Sequence, residues 1–416
     1  MDREISDLLR RVEEAEKRAT EANKHAAEAN KREAEAQRQL TEERLQTRNT
    51  TLPEFLDACH VHLFLGLAIQ EDPYSSTRGD PANAENKYRP NKIREWTGFP
   101  QEQAAIWADL MDVDFVTQRH FVALLVLKEF GKELDLGYFE RFTVESRVTS
   151  IIRQLYASPQ IRQVFHLKGD VAFENHANTL TAGQSMAEKM ESMSLEPKQP
   201  RRSDRLVARQ SQPDATSQES GKQKQPRPRA DQFCVYNVHN RKPKESLPAF
   251  IVEYKPPHKL TLAHIMAGLS DMEVDQVVRY QKDETPEDIC RRVVAAVITQ
   301  AFSYMITAGL EFGYACTGEA FIFLRVPRDD PFTVYYYLSV PREDVGDTTG
   351  WTGNPSDDNR LHLTAVGQVL AFTLRALQTP PRGIEWSNWA TARLGKMEND
   401  TRRPSRRNIQ PRSALF

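Results

Sequence analysis

Between Ala249 and Pro257 the chain reads A-F-I-V-E-Y-K-P-P, an apolar run whose end carries Glu253, Tyr254 and Lys255. In an extended strand residues two apart share a face, so Glu253 and Lys255 project together while Val252 and Tyr254 point the other way. Asp231 lies a little over twenty residues upstream, at the head of a second apolar run, D-Q-F-C-V-Y-N-V. If the two runs are neighbouring strands, two carboxylates and an ammonium converge at one sheet end. Paired carboxylates suit Mg²⁺, which prefers hard oxygen ligands, and a lysine beside them can orient a water or stabilise a pentavalent phosphorane. The chemistry these residue types favour is phosphoryl transfer.

The elements that must position them can be read from the flanking pattern. Residues 231–238 and 249–255 read as strands, 286–311 as a long helix, 313–326 and 333–340 as strands rich in Tyr, Phe, Val and Ile, and 360–377 as a closing helix. Strand, strand, long helix, strand, strand, helix is an α/β layout, a mixed sheet flanked by helices. Upstream, 101–111, 116–133 and 144–156 carry helical periodicity, with a turn-rich loop before them running through D-P-A-N-A-E-N-K-Y-R-P.

The second block resembles the PD-(D/E)XK, restriction-endonuclease-like nuclease superfamily. Asp231 followed by Glu253-Tyr254-Lys255 matches its signature, and Gln300 with Tyr304 four residues on, in I-T-Q-A-F-S-Y-M, matches the helix that follows in the exonuclease-like branch. The strand after that helix is matched by G-Y-A-C-T-G-E-A-F-I-F-L. One departure is that Ala230, not proline, precedes Asp231. The resemblance implies that Asp231, Glu253 and the main-chain carbonyl of Tyr254 ligate Mg²⁺ or Mn²⁺. It implies that Lys255 positions or activates the attacking water and that Gln300 holds the catalytic groups or the substrate phosphate. Many members carry an acid on a helix before the first strand, and Glu174 in V-A-F-E-N-H is its counterpart by order.

A wider resemblance covers most of the chain. Phrases such as T-L-P-E-F-L-D-A-C-H, F-E-N-H-A-N-T-L, F-I-V-E-Y-K-P-P-H-K-L-T and L-H-L-T-A-V-G-Q-V-L-A-F-T-L are similar to the N-terminal regions of large uncharacterised fungal proteins, some associated with fungal-type kinase-like domains. This sequence holds no H-R-D, no D-F-G and no glycine-rich phosphate loop, so kinase activity is not expected of it.

Composition sets the outer bounds. With 416 residues and a net charge of -2, the chain has room for two or three domains and no overall basic footprint, so contact with nucleic acid must be local. Residues 1–50, rich in Ala, Glu, Lys and Arg without Gly or Pro, read as a long charged helix. Ile5, Val12, Ala19, Ala26 and Leu40 fall at a positions and Leu8, Ala15, Ala22, Ala29 and Ala36 at d, an alanine-heavy seam for weak coiled-coil self-association. Residues 51–181 then form a helix-rich module, 182–228 a disordered basic linker, 229–378 the α/β domain and 379–416 a disordered tail.

Four well-separated cysteines and a charged N-terminal stretch point to an intracellular, reducing setting, nucleus or cytoplasm. The apolar stretch 293–315 approaches membrane-spanning length, but Gln300, Ser303, Tyr304, Gly309 and Glu311 interrupt it, so a buried core helix is expected and no membrane contact. His60 and His62 sit two apart on a helix and face apart, and Tyr335, Tyr336 and Tyr337 read as sheet packing. The function expected is metal-dependent hydrolysis of nucleic-acid phosphodiesters. The competing class is a non-catalytic interaction module using the same fold as a scaffold.

Overall fold

The computed structural model describes residues 2–47, 49–66, 84–111, 117–118, 136, 139–174, 230–239, 245–279 and 283–397. The chain divides into two compact units, Met1–Phe55 with Phe115–Val126, and Leu56–Asp114 with Leu127–Phe416.

In the first unit α1 (Asp2–Thr47) is one uninterrupted helix, as its breaker-free composition requires. Exposed Glu13–Lys17 and Glu14–Arg18 pairs lie one turn apart along it. Val12 and Leu40, both at a positions of the expected seam, are solvent-facing along with Leu9. Asn49–Thr50 pairs antiparallel with Thr117–Gln118, so two residues of the helix expected over 116–133 are extended; the rest of that span lies outside the described residues.

The second unit is built on an eight-stranded mixed sheet. In chain order its strands are β1 (Lys92–Glu95), β2 (Gly169–Glu174), β3 (Gln232–Val238), β4 (Glu245–Tyr254), β5 (Met272–Glu273), β6 (Phe312–Cys316), β7 (Phe321–Arg325) and β8 (Thr333–Ser339). Their spatial order is β2-β3-β4-β6-β7-β8-β1-β5. The β4–β6 and β8–β1 pairs are parallel and the remainder antiparallel. The α/β expectation therefore holds, with a division of the chain that differs from the expected one. β1 and β2 come from the stretch assigned to a helix-rich module over 51–181, yet both hydrogen-bond into the sheet of 229–378. Short strands at or next to a sheet edge carry little periodicity of their own, and the helical signals around them dominate the pattern.

β4 is the strand that matters most. Pro248 falls within it, where a missing N–H would normally break a ladder. The register against β3 slips at this point, Cys234 pairing with Phe250 and Val235 with Pro248, so Ala249 is the extra residue of a bulge that absorbs the proline. Beyond the bulge every odd residue from Ile251 faces one layer and every even residue from Phe250 the other.

The odd face packs against α5 (Pro286–Ala308), reached after α2 (Phe99–Met111), α3 (Ser146–Ala157) and α4 (Leu262–Gly268). α5 starts on a capping box between Thr285 and Asp288 with Pro286 in the first turn, and ends on Gly309 at φ 68°. Ile251, Ala315, Ile322, Leu324 and Val334 meet its Val, Ala and Ile side chains in a continuous core. The helix with membrane-like length and hydropathy is thus largely buried inside this fold. α4 approaches it at Gly268, where a Cβ would stand 2.5 Å from the Cys290 carbonyl. The even face is aromatic. Phe250, Tyr314 and Phe323 crowd Phe372 of α6 (Ala365–Leu377), and Tyr337 stacks on Phe99 at 4.2 Å between centroids.

The expected disordered tail over 379–416 is ordered in its first part. α7 (Ile384–Thr391) follows α6, Arg382 reaches Glu311 at 3.1 Å, and Lys396 bridges to Tyr88; residues from 398 onward lie outside the described set, as does the linker 182–228.

Candidate functional site

The antiparallel register pairs Gln232 with Val252, so one step further along the ladder Asp231 stands opposite Glu253. Its Oδ2 accepts the Tyr254 backbone N–H at 2.9 Å, fixing the carboxylate at the strand end. On the parallel side Glu253 pairs with Ala315 and Tyr254 with Cys316, and the Lys255 N–H donates to the Cys316 carbonyl at 2.8 Å. Lys255 therefore stays extended past the last residue of β4. Its side chain shares the odd face with Glu253 as strand periodicity requires.

There the Lys255 ammonium donates to Glu253 Oε1 at 2.7 Å and to Gln300 Oε1 on α5 at 2.8 Å. Glu253 is buried, and burial pushes its carboxyl up to about 7, with Lys255 pulling down against that and Asp231 pushing further up. Its Oε2 is buried without a hydrogen-bond partner among the described residues. An ionised oxygen in that position is costly unless a cation or donor meets it. Four of the residues singled out from the sequence, Asp231, Glu253, Lys255 and Gln300, thus meet at one strand end, with the Tyr254 main chain between them.

An orphaned carboxylate oxygen beside a second carboxylate fits a divalent ion. Among the described residues no group of three or more His, Cys, Asp or Glu side chains clusters to hold a metal. An ion here would rest on Asp231, Glu253 and the Tyr254 carbonyl, a sparse set of the kind Mg²⁺ completes with water and substrate phosphate.

Glu174, the acid expected on a helix, instead closes the edge strand β2 opposite Phe233. The short apolar phrase V-A-F-E continues a strand, and no capping signal opens a helix there. Burial pushes up two acids on the even face instead, Glu140 well above the carboxyl range and Glu145 to about 7. Glu145 Oε1 and Gln232 Oε1 both contact the Tyr254 hydroxyl. One phenol proton cannot serve two acceptors, so the trio needs a second donor, either a proton on Glu145 or the Gln232 amide turned to present its Nε2. Periodicity placed Val144–Glu145 at a helix start but gave no sign that the acid turns inward.

A second lysine enters from outside the expected domain. Lys87 donates to the Tyr304 hydroxyl at 3.0 Å, one helical turn beyond Gln300. It lies in the loop-like stretch before β1, where no periodicity marks a functional position. The histidines behave as packing groups or surface residues. His60 is buried with Nε2 2.8 Å from the Gly346 carbonyl, burial lowers its pKa, and His62 is exposed.

Compared with known proteins, the family described as Spore killer 2 N-terminal domain matches residues 51–388, the span that contains every site residue named above. The chain belongs to the Spore killer 2 N-terminal domain family. A relative within reach is the protein named Meiotic driver SPOK2 of Podospora anserina, 28% identical over 371 residues, covering 81% of this chain and 44% of that protein. The chain thus spans less than half the length of that curated relative. The expectation of an N-terminal region from larger fungal proteins agrees with this membership in the Spore killer 2 N-terminal family. No solved structure matches.

Proposed function

We propose that this Spore killer 2 N-terminal domain is a metal-dependent nuclease of PD-(D/E)XK type that hydrolyses phosphodiester bonds in nucleic acid. The observation that carries the reading is the strand-end cluster in which Asp231 faces Glu253, Lys255 joins Glu253 to Gln300, and Glu253 Oε2 finds no hydrogen-bond partner among the described residues. The succession of an Asp231 strand, a Glu-x-Lys strand, a helix bearing Gln300 and a further strand paired to the Glu-x-Lys strand supports the same assignment.

Mg²⁺ or Mn²⁺ held by Asp231, Glu253 and the Tyr254 carbonyl would acidify the attacking water and offset charge on the scissile phosphate. The chain's own contribution is positional. The Tyr254 N–H holds Asp231 in place, and Gln300 aims the Lys255 ammonium, a compact point charge, at the same side of the strand. Burial of Glu253 keeps bulk water from screening these charges. The Podospora relative is named a meiotic driver, which supports a role for the proposed hydrolysis in meiotic drive.

Metal binding is the first requirement. Added Mn²⁺ should raise the thermal midpoint of the full chain in a concentration-dependent way, and Asp231→Asn should remove that response. A midpoint indifferent to Mn²⁺ and Mg²⁺ in the folded wild-type chain would leave the non-catalytic scaffold as the better reading.

A further inference from the structure

Lys87 stands where the strap of residues 84–91 crosses α5. Its ammonium lies 3.0 Å from the Tyr304 hydroxyl and 4.3 Å from the centre of that ring. The phenol oxygen and the ring face together hold the ammonium in place. Tyr304 follows Gln300 by four residues, so the two side chains rise from one face of α5, with Cβ atoms about 5–6 Å apart. Since Gln300 holds Lys255, two ammonium groups sit on successive turns of a single helix face. Two cations set along one helix face in this way can meet successive phosphates of one nucleic-acid strand.

The strap is firmly mounted. The Tyr88 N–H donates to Ser303 Oγ at 3.1 Å, the Asn86 N–H to the Met397 carbonyl at 3.0 Å, the Met397 N–H to the Lys87 carbonyl at 2.9 Å, and the Arg89 N–H to the Gly395 carbonyl at 3.0 Å. Asn86 takes a left-handed conformation, φ 60°, within the turn that precedes Lys87. A side chain on backbone braced from both sides is pre-organised rather than searching.

We propose that Lys87 is a substrate-contact residue that docks a backbone phosphate of the nucleic-acid strand next to the phosphate addressed by Lys255. This rests on the nuclease reading for its substrate class. It adds a contact from the N-terminal side of residues 182–228, outside the segment that carries Asp231, Glu253 and Lys255.

The test uses the full chain. In an Asp231→Asn background, binding of a labelled oligonucleotide is measured across a salt series, and cleavage kinetics are measured without that background substitution. Lys87→Met should weaken binding to a similar degree for unrelated sequences and lower the log-affinity against log-salt slope by about 1. It should raise KM with kcat little changed, while Lys87→Arg keeps the slope and KM near wild type. Thermal unfolding of each variant checks that the fold survives. A Lys87→Met chain that unfolds earlier but keeps the wild-type slope and KM would make Lys87 a structural residue and overturn the proposal. Cleavage that is intact and indifferent to Lys87 overturns it while leaving the nuclease reading standing. Lys87-dependent phosphate binding without any cleavage supports it and removes the nuclease reading instead. Absence of both binding and cleavage in the wild-type chain overturns both.

Discussion

Glu253 and Lys255 form a nearly dry ion pair, with side chains 5% and 13% exposed. Removing one member of such a pair costs up to about 3–5 kcal/mol where the other stays charged, and less where the carboxyl, already pushed up to about 7, takes up a proton; removing both together costs far less. Lys255→Met should therefore lower unfolding stability, more so above pH 7 than below it, and the double variant Glu253→Gln/Lys255→Met should recover much of the loss. Denaturant unfolding of the three chains reads this directly, and equal stability of single and double variants would mean that the pair is not coupled. On the opposite face, burial holds the Glu140 carboxyl well above its ordinary value of 4.5, with Glu145 adding to the effect. Below that ordinary value both folded and unfolded chains carry the proton. Above it the unfolded chain releases the proton while the folded chain keeps it, so this residue subtracts stability at up to about 1.4 kcal/mol per pH unit as pH rises toward the folded value. Glu140→Gln should flatten the fall in stability above pH 4.5, measured as unfolding free energy against pH. A slope unchanged by the substitution would show an ionised Glu140.

The same residues show what sequence can and cannot carry at this scale. Glu253 and Lys255 were legible because a strand has period two, and Asp231 because an antiparallel neighbour puts it opposite Glu253. Glu140 and Glu145 were not, because a carboxylate is written identically whether its helix turns it toward water or toward Tyr254. Lys87 had no period around it at all.

Among the elements, α5 illustrates how one local property admits two environments. Its hydropathy and length satisfy a membrane span, but Gln300 and Ser303 on its surface make hydrogen bonds to Lys255 and Tyr88 within the fold. β4 illustrates the converse, since Pro248 argues against a central strand until the bulge at Ala249 is known. The hairpin β6–β7 was read as a single strand over 313–326; the break at Thr317–Ala320 is closed by the Thr317 side chain accepting the Ala320 N–H at 3.1 Å. The tight crossing of α4 over α5 gives a prediction of its own. A methyl at Gly268 would press on main-chain atoms of Cys290 that cannot step aside, so Gly268→Ala should cost about 1–3 kcal/mol. Its effect is measurable as a lowered denaturation midpoint at unchanged m-value, and wild-type stability would mean that α4 and α5 stand further apart.

At the scale of the molecule, the sheet joins strands from both sides of residues 175–229, with β2 at one edge and β1 near the other. A division of the chain at its polar linker therefore cuts the sheet. Sequence composition marks the linker as a change of texture but does not show that the chain beyond it returns to a sheet already begun. The consequence for function is that the strand-end cluster, its brace at Tyr304 and Lys87, and the buried acids behind Tyr254 all depend on residues upstream of the linker as well as downstream. The central claim is that this assembled site hydrolyses phosphodiesters. The most direct test is cleavage of labelled DNA and RNA by the full chain in Mg²⁺ or Mn²⁺, with Asp231→Ala and Lys255→Ala prepared alongside. The predicted result is metal-dependent cleavage by the wild-type chain that falls by about a hundredfold or more in each variant. No cleavage by the wild-type chain in either metal, or equal cleavage by all three chains, would contradict it.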